Sequence, residues 1–146
     1  MADERADRLK RLAGKMDRVL VDAACSGVGT LRRSPDLKWR QTPKTVAAQA
    51  QLQQAILNSA VRLLKPNGRL VYATCSLLKE ENEAVAEAFG ESHPDFEPLP
   101  VHELLVDAHV PSPERLCTGS SQQWLRLWPH RHATDGFFAA AWRKRS

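Results

Sequence analysis

Two cysteines in similar local settings are the residues of this chain best suited to covalent chemistry. Cys25 follows the apolar segment Val19–Val21 and the carboxylate of Asp22, while Cys75 follows the apolar segment Leu70–Ala73 and a threonine. A thiolate is a strong nucleophile, and a second group beside it can assist a later proton transfer or elimination. A single free cysteine is usually an inert core residue, so the argument for function rests on the repeated pattern.

Three alternatives to thiol catalysis fail on residue type or spacing. A tyrosine-phosphatase loop needs an arginine six residues after its cysteine, where this chain has Leu31. A nucleotide-binding P-loop needs a lysine between its last glycine and its hydroxyl residue, but Gly29 is followed directly by Thr30. The cysteines form no CxxC pair, and His130 and His132 fall in a predicted turn, so no metal site is predicted.

The elements around the cysteines predict an α/β fold. Each cysteine follows a short apolar run typical of a buried strand that ends in a tight loop. Between the two runs, Thr42 and Pro43 are typical of a helix start, and apolar residues recur at steps of three and four over Thr45–Leu64. Lys65–Gly68 predicts the end of that helix. The order strand, helix, strand predicts two parallel strands whose carboxyl ends bring both cysteines to one sheet edge.

The second half of the chain predicts a helix and three further strands. Lys79–Phe89 has the period of a helix, with Phe96–Leu99 as a short strand after it. Trp124–Leu127 and Phe137–Ala141 flank the polar turn Pro129–Gly136 and predict an antiparallel hairpin at the sheet edge. For the helix we expect an apolar inner face and an acidic solvated face, formed respectively by Ala84, Val85, Ala88 and Phe89 and by Glu80, Glu81, Glu83 and Glu87. Residues 101–122 show no clear period.

The loop after the first cysteine places cations around an aromatic residue. The cations that neighbour Trp39 in sequence are Arg32, Arg33, Lys38 and Arg40. Such interleaving suits a phosphate backbone and a stacked base, and the basic tail Arg143–Arg145 could add phosphate contacts. A solvated basic loop whose tryptophan packs into the domain explains the same residues equally well. Both interpretations stay open on the sequence.

Length and composition restrict the class of protein. The 146 residues suffice for one domain, and 42% hydrophobic and 26% charged residues are ordinary for a globular protein. No apolar run approaches the roughly 20 residues of a membrane helix. Three cysteines predict free thiols in a reducing cytoplasm rather than a disulfide framework. The net charge of +4 permits a polyanionic partner without requiring one.

The two cysteine motifs resemble those of the RNA (cytosine-5) methyltransferases. That family carries Asp-Ala-Pro-Cys-Ser-Gly, which is similar to Asp-Ala-Ala-Cys-Ser-Gly at Asp22–Gly27. Its second motif, Thr-Cys-Ser after a strand, is similar to Thr74–Ser76, and its later elements resemble Glu81–Glu83 and His130–Phe138. The likeness extends over most of the chain, from Arg18 to Lys144.

The resemblance implies both a fold and a reaction. The fold would be the C-terminal half of a Rossmann-like methyltransferase domain, with a parallel sheet and an antiparallel edge hairpin. The reaction would transfer a methyl group from S-adenosylmethionine to carbon 5 of cytosine in RNA, ribosomal RNA above all. By resemblance Cys75 is the nucleophile, Cys25 assists its release, and Asp22 helps to hold the cofactor or the cytosine. The basic loop residues Arg32, Arg33, Lys38 and Arg40 would contact RNA.

The chain departs from the family pattern in two respects. Ala24 stands where the family usually has proline, which predicts a less rigid loop around Cys25. The family's Gly-rich cofactor loop and upstream RNA-binding domain are not found in this sequence, so residues 1–146 are expected to form part of a catalytic domain that is inactive alone. A non-catalytic RNA-binding or scaffold fragment therefore stays open, whereas a thiol redox protein is disfavoured by the lack of a CxxC pair.

Overall fold

A mixed sheet with helices packed against it forms the centre of the computed structural model. The residues described are 9–118 and 122–146. The strands are β1 (Met16–Asp22), β2 (Leu64–Thr74), β3 (Phe96–Leu99), β4 (Cys117–Thr118), β5 (Trp124–Leu127) and β6 (Phe137–Lys144). The helices are α1 (Leu37–Arg40), α2 (Pro43–Ala60), α3 (Glu83–Ser92), α4 (Val101–Asp107) and α5 (Pro129–His132).

The parallel pair predicted from the sequence is confirmed. Strands β1 and β2 pair in parallel, with Val21 opposite Tyr72 and Asp22 opposite Ala73, so the two strands end at the same level. Helix α2 connects them and begins as predicted: Thr42 is the N-cap, Pro43 is the first helical residue, and Thr42 and Thr45 form a reciprocal capping box.

The end of α2 differs from the sequence prediction. The helix stops at Ala60 and passes through a 3₁₀ turn, Val61–Leu63, into β2 at Leu64. The Lys-Pro-Asn-Gly segment, 65–68, therefore lies inside β2, where the β1–β2 register shifts. Asn67 has φ of 62°, a left-handed conformation that asparagine tolerates. The turn residues thus interrupt a strand rather than end the helix.

The predicted antiparallel pairing of β5 with β6 is confirmed, but its expected place at the sheet edge is wrong, because β6 lies in the middle of the sheet and β4 pairs with the outer side of β5. In the described residues the strand order is β1-β2-β6-β5-β4, and β3 pairs with the far part of β6. Strand β6 runs antiparallel to β2, β3 and β5. The α/β class is as expected, with one parallel pair joined to a group of antiparallel strands.

The sheet is covered on both faces. On one face α2 and α3 pack through Leu57 and Phe89 onto Tyr72, Phe138 and Trp142. On the other face the side chains of Leu99 and Ala141 pack with Val101, Leu104 and Leu105 of α4. Helix α4 lies in the segment 101–122 whose structure was not predicted, and residues 119–121 of that segment are outside the described residues.

Several local predictions need correction. The basic segment 31–40 is not all loop, since it contains α1, and the polar turn before β6 contains α5. Helix α3 starts at Glu83, after a 3₁₀ turn at Lys79–Glu81, and buries Ala86 while Ala84 and Ala88 are exposed. Glu81, expected on the solvated face, is fully buried.

Among the described residues we find no helix with the length and hydropathy needed to cross a bilayer.

Candidate active site

The two cysteines meet at the carboxyl ends of β1 and β2. The backbone N–H of Ala23 donates to the carbonyl of Ala73 at 2.9 Å, which extends the parallel pairing one step beyond Asp22. The two chains then turn, and the Sγ atoms of Cys25 and Cys75 lie 3.4 Å apart. Both side chains are partly exposed, so a ligand at the sheet edge can reach them.

The contact between the sulfur atoms makes the two thiols unequal. The hydrogen bond from Cys25 stabilises a thiolate at Cys75 and lowers the pKa of Cys75 to about 7, against the effect of partial burial. The same contact, reinforced by burial, raises the pKa of Cys25. These opposite shifts favour Cys75 as the thiolate and Cys25 as the protonated thiol that donates the hydrogen bond.

A buried carboxylate ties the two cysteine loops together. Glu81 accepts from the backbone N–H of Ser26 at 2.7 Å and from the hydroxyls of Ser26 and Ser76 at 2.5 Å each. Each serine directly follows one of the cysteines. Both serines and Glu81 are buried, so these charge-assisted bonds are shielded from water. The loops are thus joined at the residues immediately after the thiols.

Side chains from the sheet and from α2 complete this buried network. The hydroxyl of Tyr72 lies 2.5 Å from the backbone carbonyl of Glu81 and 3.0 Å from Oε1 of Gln53. The amide of Gln53 donates to the carbonyl of Ala24 at 2.9 Å, which supports the loop before Cys25. Burial and the Glu81 charge raise the pKa of Tyr72, so the phenol stays protonated.

Asn82 supports the loop of the second cysteine alone. Its carbonyl oxygen accepts from the hydroxyl of Thr74 at 2.5 Å, and its amide donates to the carbonyl of Ser76 at 2.9 Å. Thr74 and Ser76 flank Cys75, so the turn that carries the thiol is fixed on both sides.

A close backbone contact fixes the same turn from the direction of β6. The N–H of Gly29 donates to the carbonyl of Cys75 at 2.9 Å, and the N–H of Gly136 donates to the carbonyl of Gly29 at 2.8 Å. A Cβ atom at Gly29 would lie less than 3.0 Å from the carbonyl oxygens of both Cys75 and Gly136. The approach of three backbone segments therefore requires glycine at position 29.

An arginine from β5 holds the chain beyond the second cysteine. Arg126 is buried, donates to the carbonyl of Leu77 at 2.8 Å and forms an ion pair with Glu83 at 3.1 Å. Its guanidinium also lies 4.6 Å from the ring centre of Trp128. Burial lowers the pKa of Arg126, and Glu83 opposes that shift. This pair links β5 to the start of α3 and to the loop after Cys75.

Asp22, the expected cofactor residue, lies at the same edge of the sheet and is exposed. It borders a mainly apolar groove of about 280 Å³ between β1 and α2. Other residues along this groove include Val19, Leu20, Ile56 and Leu63. A carboxylate beside apolar surface can accept hydrogen bonds from the polar part of a ligand whose remaining atoms fill the groove.

The basic residues after Cys25 are exposed but differ in their partners. Arg33 pairs with Asp135 at 3.1 Å, and the two residues, with Arg32, line a small polar cleft of about 230 Å³. Arg40 pairs with Asp36 at 2.7 Å across one helical turn. The amine of Lys38 lies 4.6 Å from the ring centre of Trp39. Trp39 is 80% exposed, so of the two interpretations left open by the sequence, the one in which the tryptophan packs into the domain is wrong.

The remaining candidates from the sequence do not join the site. His132 lies between backbone groups, accepting from the N–H of Trp128 at 2.8 Å and contacting the carbonyl of Arg115 at 2.9 Å. Cys117 is in β4, and partial burial raises its pKa. Within the described ranges, no group of three or more His, Cys, Asp or Glu side chains could hold a metal ion.

Sequence reasoning missed the buried network that supports the thiols. Glu81 seemed to belong to an acidic surface because Glu80 and Glu83 are its neighbours. The available signal was its presence in the Glu-Asn-Glu segment after the second cysteine motif. Gln53 and Arg126 gave no signal, since one polar residue in an amphipathic helix or in an alternating strand is usually solvated.

Comparison with known proteins supports the sequence resemblance. A family profile described as "16S rRNA methyltransferase RsmB/F" matches residues 2–143. A probable ribosomal RNA small subunit methyltransferase B of Synechocystis sp. is 43% identical over 129 residues, which are 88% of this chain and 27% of that protein. The probable methyltransferase B of Bacillus subtilis is 40% identical over 90% of this chain and 28% of its own length.

A solved structure has the same arrangement of elements. NSun6 from Pyrococcus horikoshii, solved with SFG, aligns with a TM-score of 0.70 and 31% identity over 97% of this chain and 33% of that one. The chain spans between a quarter and a third of the length of these relatives. The family match over nearly the whole sequence, and a fold shared with a solved relative, show that this chain belongs to the 16S rRNA methyltransferase RsmB/F family.

Proposed function

We propose that this chain carries the two catalytic cysteines of an enzyme that methylates carbon 5 of cytosine in RNA, with small-subunit ribosomal RNA as the substrate. The observation that supports the proposal most directly is the 3.4 Å contact between the Sγ atoms of Cys25 and Cys75. Such a contact allows one sulfur to attack as a thiolate while the other stays protonated beside it. The family relationship supports the same substrate class, because the relatives are named as ribosomal RNA methyltransferases.

The proposed reaction requires both thiols. Carbon 5 of cytosine is a poor nucleophile, but addition of the Cys75 thiolate to carbon 6 forms an S–C6 bond and moves the electrons of the C5=C6 double bond toward carbon 5. Carbon 5 would then take the methyl group as the S–CH₃ bond of a bound sulfonium donor breaks and a neutral thioether leaves. The proton of carbon 5 passes to water, the C5=C6 bond re-forms and the S–C6 bond breaks. Cys75 then leaves as a thiolate, which the Cys25 thiol stabilises by the hydrogen bond of the resting site.

The residues around Asp22 fit S-adenosylmethionine as cofactor. The mainly apolar groove between β1 and α2 suits an adenosine group, and the exposed carboxylate suits its hydroxyls or the positively charged sulfonium. When bound, the cofactor supplies an activated methyl group. One structural relative was solved with SFG, an analogue of this cofactor. A reducing compartment such as the cytoplasm would keep both thiols free.

Exposed basic residues support RNA as the partner. Arg32 and Arg33 line the polar cleft beside the Gly29–Gly136 contact, which itself adjoins Cys75. Lys38 and Arg40 flank the exposed ring of Trp39, which could stack on an unpaired base. We assign these four cations to the phosphate backbone, where they contribute affinity rather than sequence preference.

Because the chain corresponds to only 27% of the Synechocystis relative, we propose that it is inactive alone. The test is a chimera in which this chain replaces the matching segment of that relative. Isotope-labelled methyl transfer to small-subunit ribosomal RNA is expected from the chimera and not from the isolated chain, with the label in 5-methylcytosine.

The controls separate the proposal from a non-catalytic RNA-binding role. The unmodified relative establishes that the assay works, and a filter-binding measurement reports RNA affinity independently of methyl transfer. A chimera that binds RNA but transfers no methyl group would contradict catalysis and favour an RNA-binding fragment, for which the exposed Trp39 and its neighbouring cations are the supporting feature.

A further inference from the structure

The proposed reaction needs the two thiols to be held in contact, and the thiols themselves do not fix the loops that carry them. We propose that Glu81 is a positioning residue, whose buried carboxylate holds the loops of Cys25 and Cys75 together and so sets the contact between the two sulfur atoms. The inference rests on the proposed function, because it concerns the alignment of that pair of thiols.

The contacts of Glu81 connect both loops at equivalent places. Oε1 accepts from the backbone N–H of Ser26, while Oε2 accepts from the hydroxyls of Ser26 and Ser76. Since each serine is bonded directly to a cysteine, movement of either serine moves a thiol. Asn82, by contrast, bonds to residues on both sides of Cys75. In the Cys25 loop the carbonyls of Ala24 and Ser26 accept from the amides of Gln53 and Gln41, while Glu81 bonds to both cysteine loops.

A carboxylate suits this position for a chemical reason. Four donors converge on the Glu81 carboxylate, and an ionised carboxylate offers two oxygens with about four acceptor sites and no hydrogen of its own. The amide of Gln53 lies 3.4 Å from Oε1, and the hydroxyl of Tyr72 lies 2.5 Å from the Glu81 carbonyl. These two side chains fix the glutamate from the core, so that it orients the serines rather than following them.

A positioning role and a purely electrostatic role of Glu81 predict opposite changes in the pKa of Cys75 when the Glu81 side chain is removed. The groups that face Cys75 are Cys25, whose hydrogen bond lowers its pKa, and the carboxylates of Asp22 and Glu81, whose charges raise it. If Glu81 acted only through its charge, removing it would lower the pKa of Cys75. If Glu81 aligns the thiols, removing it weakens the bond from Cys25, which is the larger effect, and the pKa of Cys75 rises.

The test compares Glu81→Ala and Glu81→Gln with the unsubstituted chain. The rate of Cys75 alkylation by iodoacetamide is measured against pH, with the modified peptide identified by mass spectrometry. For Glu81→Ala we expect alkylation at pH 7 to fall roughly tenfold, as the thiol returns toward its ordinary pKa. Diamide-induced formation of the Cys25–Cys75 disulfide should slow as well. Glu81→Gln keeps one oxygen as an acceptor but places an N–H₂ group where the carboxylate had its second oxygen, so it should restore both rates only in part.

Two further variants keep the test decisive if Glu81→Ala does not fold. Ser76→Ala leaves the carboxylate in place but removes its bond to the Cys75 loop, so it should shift both rates in the same direction as Glu81→Ala. Glu80→Ala is the matched control, because it removes the exposed carboxylate next to Glu81 in the sequence, and it should leave the disulfide rate unchanged. All four variants are compared at equal folded fraction by circular dichroism.

The outcomes that overturn the inference are specific. Unchanged Cys75 alkylation and disulfide rates in folded Glu81→Ala and Ser76→Ala, or faster alkylation of Cys75 in both Glu81 variants, would show that Glu81 does not align the thiols. These measurements need neither RNA nor cofactor. Failure of methyl transfer by the chimera with normal thiol results would therefore contradict the proposed function and leave the positioning role standing.

Discussion

At the scale of single residues, Cys25 and Cys75 are alike in type and in sequence setting, and they differ because of what each thiol donates or accepts. Cys75 accepts a hydrogen bond that stabilises its thiolate, whereas Cys25 is held protonated by the same contact. This inequality agrees with the roles that the family resemblance implies. It also means that substitution of one cysteine changes the acidity of the other.

The first prediction concerns the covalent intermediate in the chimera. Cys75→Ala should form no adduct with RNA, because it lacks the attacking sulfur. Cys25→Ala should still attack and methylate, but the RNA should remain attached, since the departing thiolate loses its hydrogen-bond donor. Denaturing gels of each variant incubated with RNA and cofactor measure the adduct. Equal adduct from both variants, or adduct only from Cys75→Ala, would refute the assignment.

The second prediction is the pH dependence of the Cys75 thiol in the isolated chain. Only the thiolate reacts with iodoacetamide, so alkylation should increase with pH around a midpoint of about 7. In Cys25→Ala the donor is lost, and the midpoint should rise toward the ordinary thiol value of about 8.5. Cys117→Ala, which changes a thiol in β4, is the control. A midpoint that stays near 7 in Cys25→Ala would show that another group acidifies Cys75.

At the scale of elements, the candidate site depends on how closely three chain segments approach one another. Strands β1 and β2 bring the cysteine loops to one edge, and the turn before β6 adds Gly136 against Gly29. The contact with Gly29 also satisfies the carbonyl of Cys75, which would otherwise lack a strand partner beyond β2. Rigid backbone at this point limits the freedom of the attacking thiol.

The third prediction is a contrast between two glycines. Gly29→Ala should destabilise the chain by about 1–3 kcal/mol, because its Cβ would overlap the carbonyl oxygens of Cys75 and Gly136, which are backbone atoms that cannot easily move. Gly90→Ala, in the last turn of α3 with no atom within 4 Å of the added Cβ, should instead stabilise it by about 0.5–1 kcal/mol. Urea denaturation measures both. Equal effects would argue against tight packing at Gly29.

At the scale of the whole molecule, one side of the sheet is less protected than the rest. In the described residues β1 is an edge strand, and it presents Leu20 with 67% exposure. A strand in a parallel pair of an α/β sheet is normally covered on both faces, and an exposed apolar edge favours association with another chain. The groove beside Asp22 opens along this same strand.

The fourth prediction follows from that edge. The isolated chain should partly self-associate at high concentration, and Leu20→Lys should make it more monomeric, since a lysine at an edge strand disfavours pairing. Val106→Lys replaces a similarly exposed residue of α4 and serves as the control. Sedimentation velocity gives the distribution of species. If Val106→Lys reduces association as much as Leu20→Lys does, the β1 edge is not responsible.

The fifth prediction concerns the cofactor. The isolated chain should bind S-adenosylmethionine weakly or not at all, because Asp22 and one open groove provide few of the contacts that a buried ligand needs. The chimera should bind it more tightly, and Asp22→Asn in the chimera should weaken binding. Titration calorimetry on the three proteins measures this difference. Micromolar binding by the isolated chain would disprove it.

The sequence by itself determined the α/β class, the parallel pair, the connecting helix, the antiparallel pairing of β5 with β6 and the family, but not the place of that hairpin inside the sheet. These features depend on local periodicity and on short motifs, which act between residues close in the chain. The same local signals misplaced the end of α2, since Lys-Pro-Asn-Gly looks like a helix stop whether or not a neighbouring strand pairs with its flanks.

Only the tertiary structure decided how the thiols are supported. Glu81 has the sequence neighbours of a solvated glutamate, yet it is buried because the serines after Cys25 and Cys75 converge on it from loops 50 residues apart. The lowered pKa of Cys75 likewise arises from a partner in the other loop. A free energy that depends on contacts between distant segments has no local signature, and for that reason the network that sets the chemistry became visible only in the folded chain.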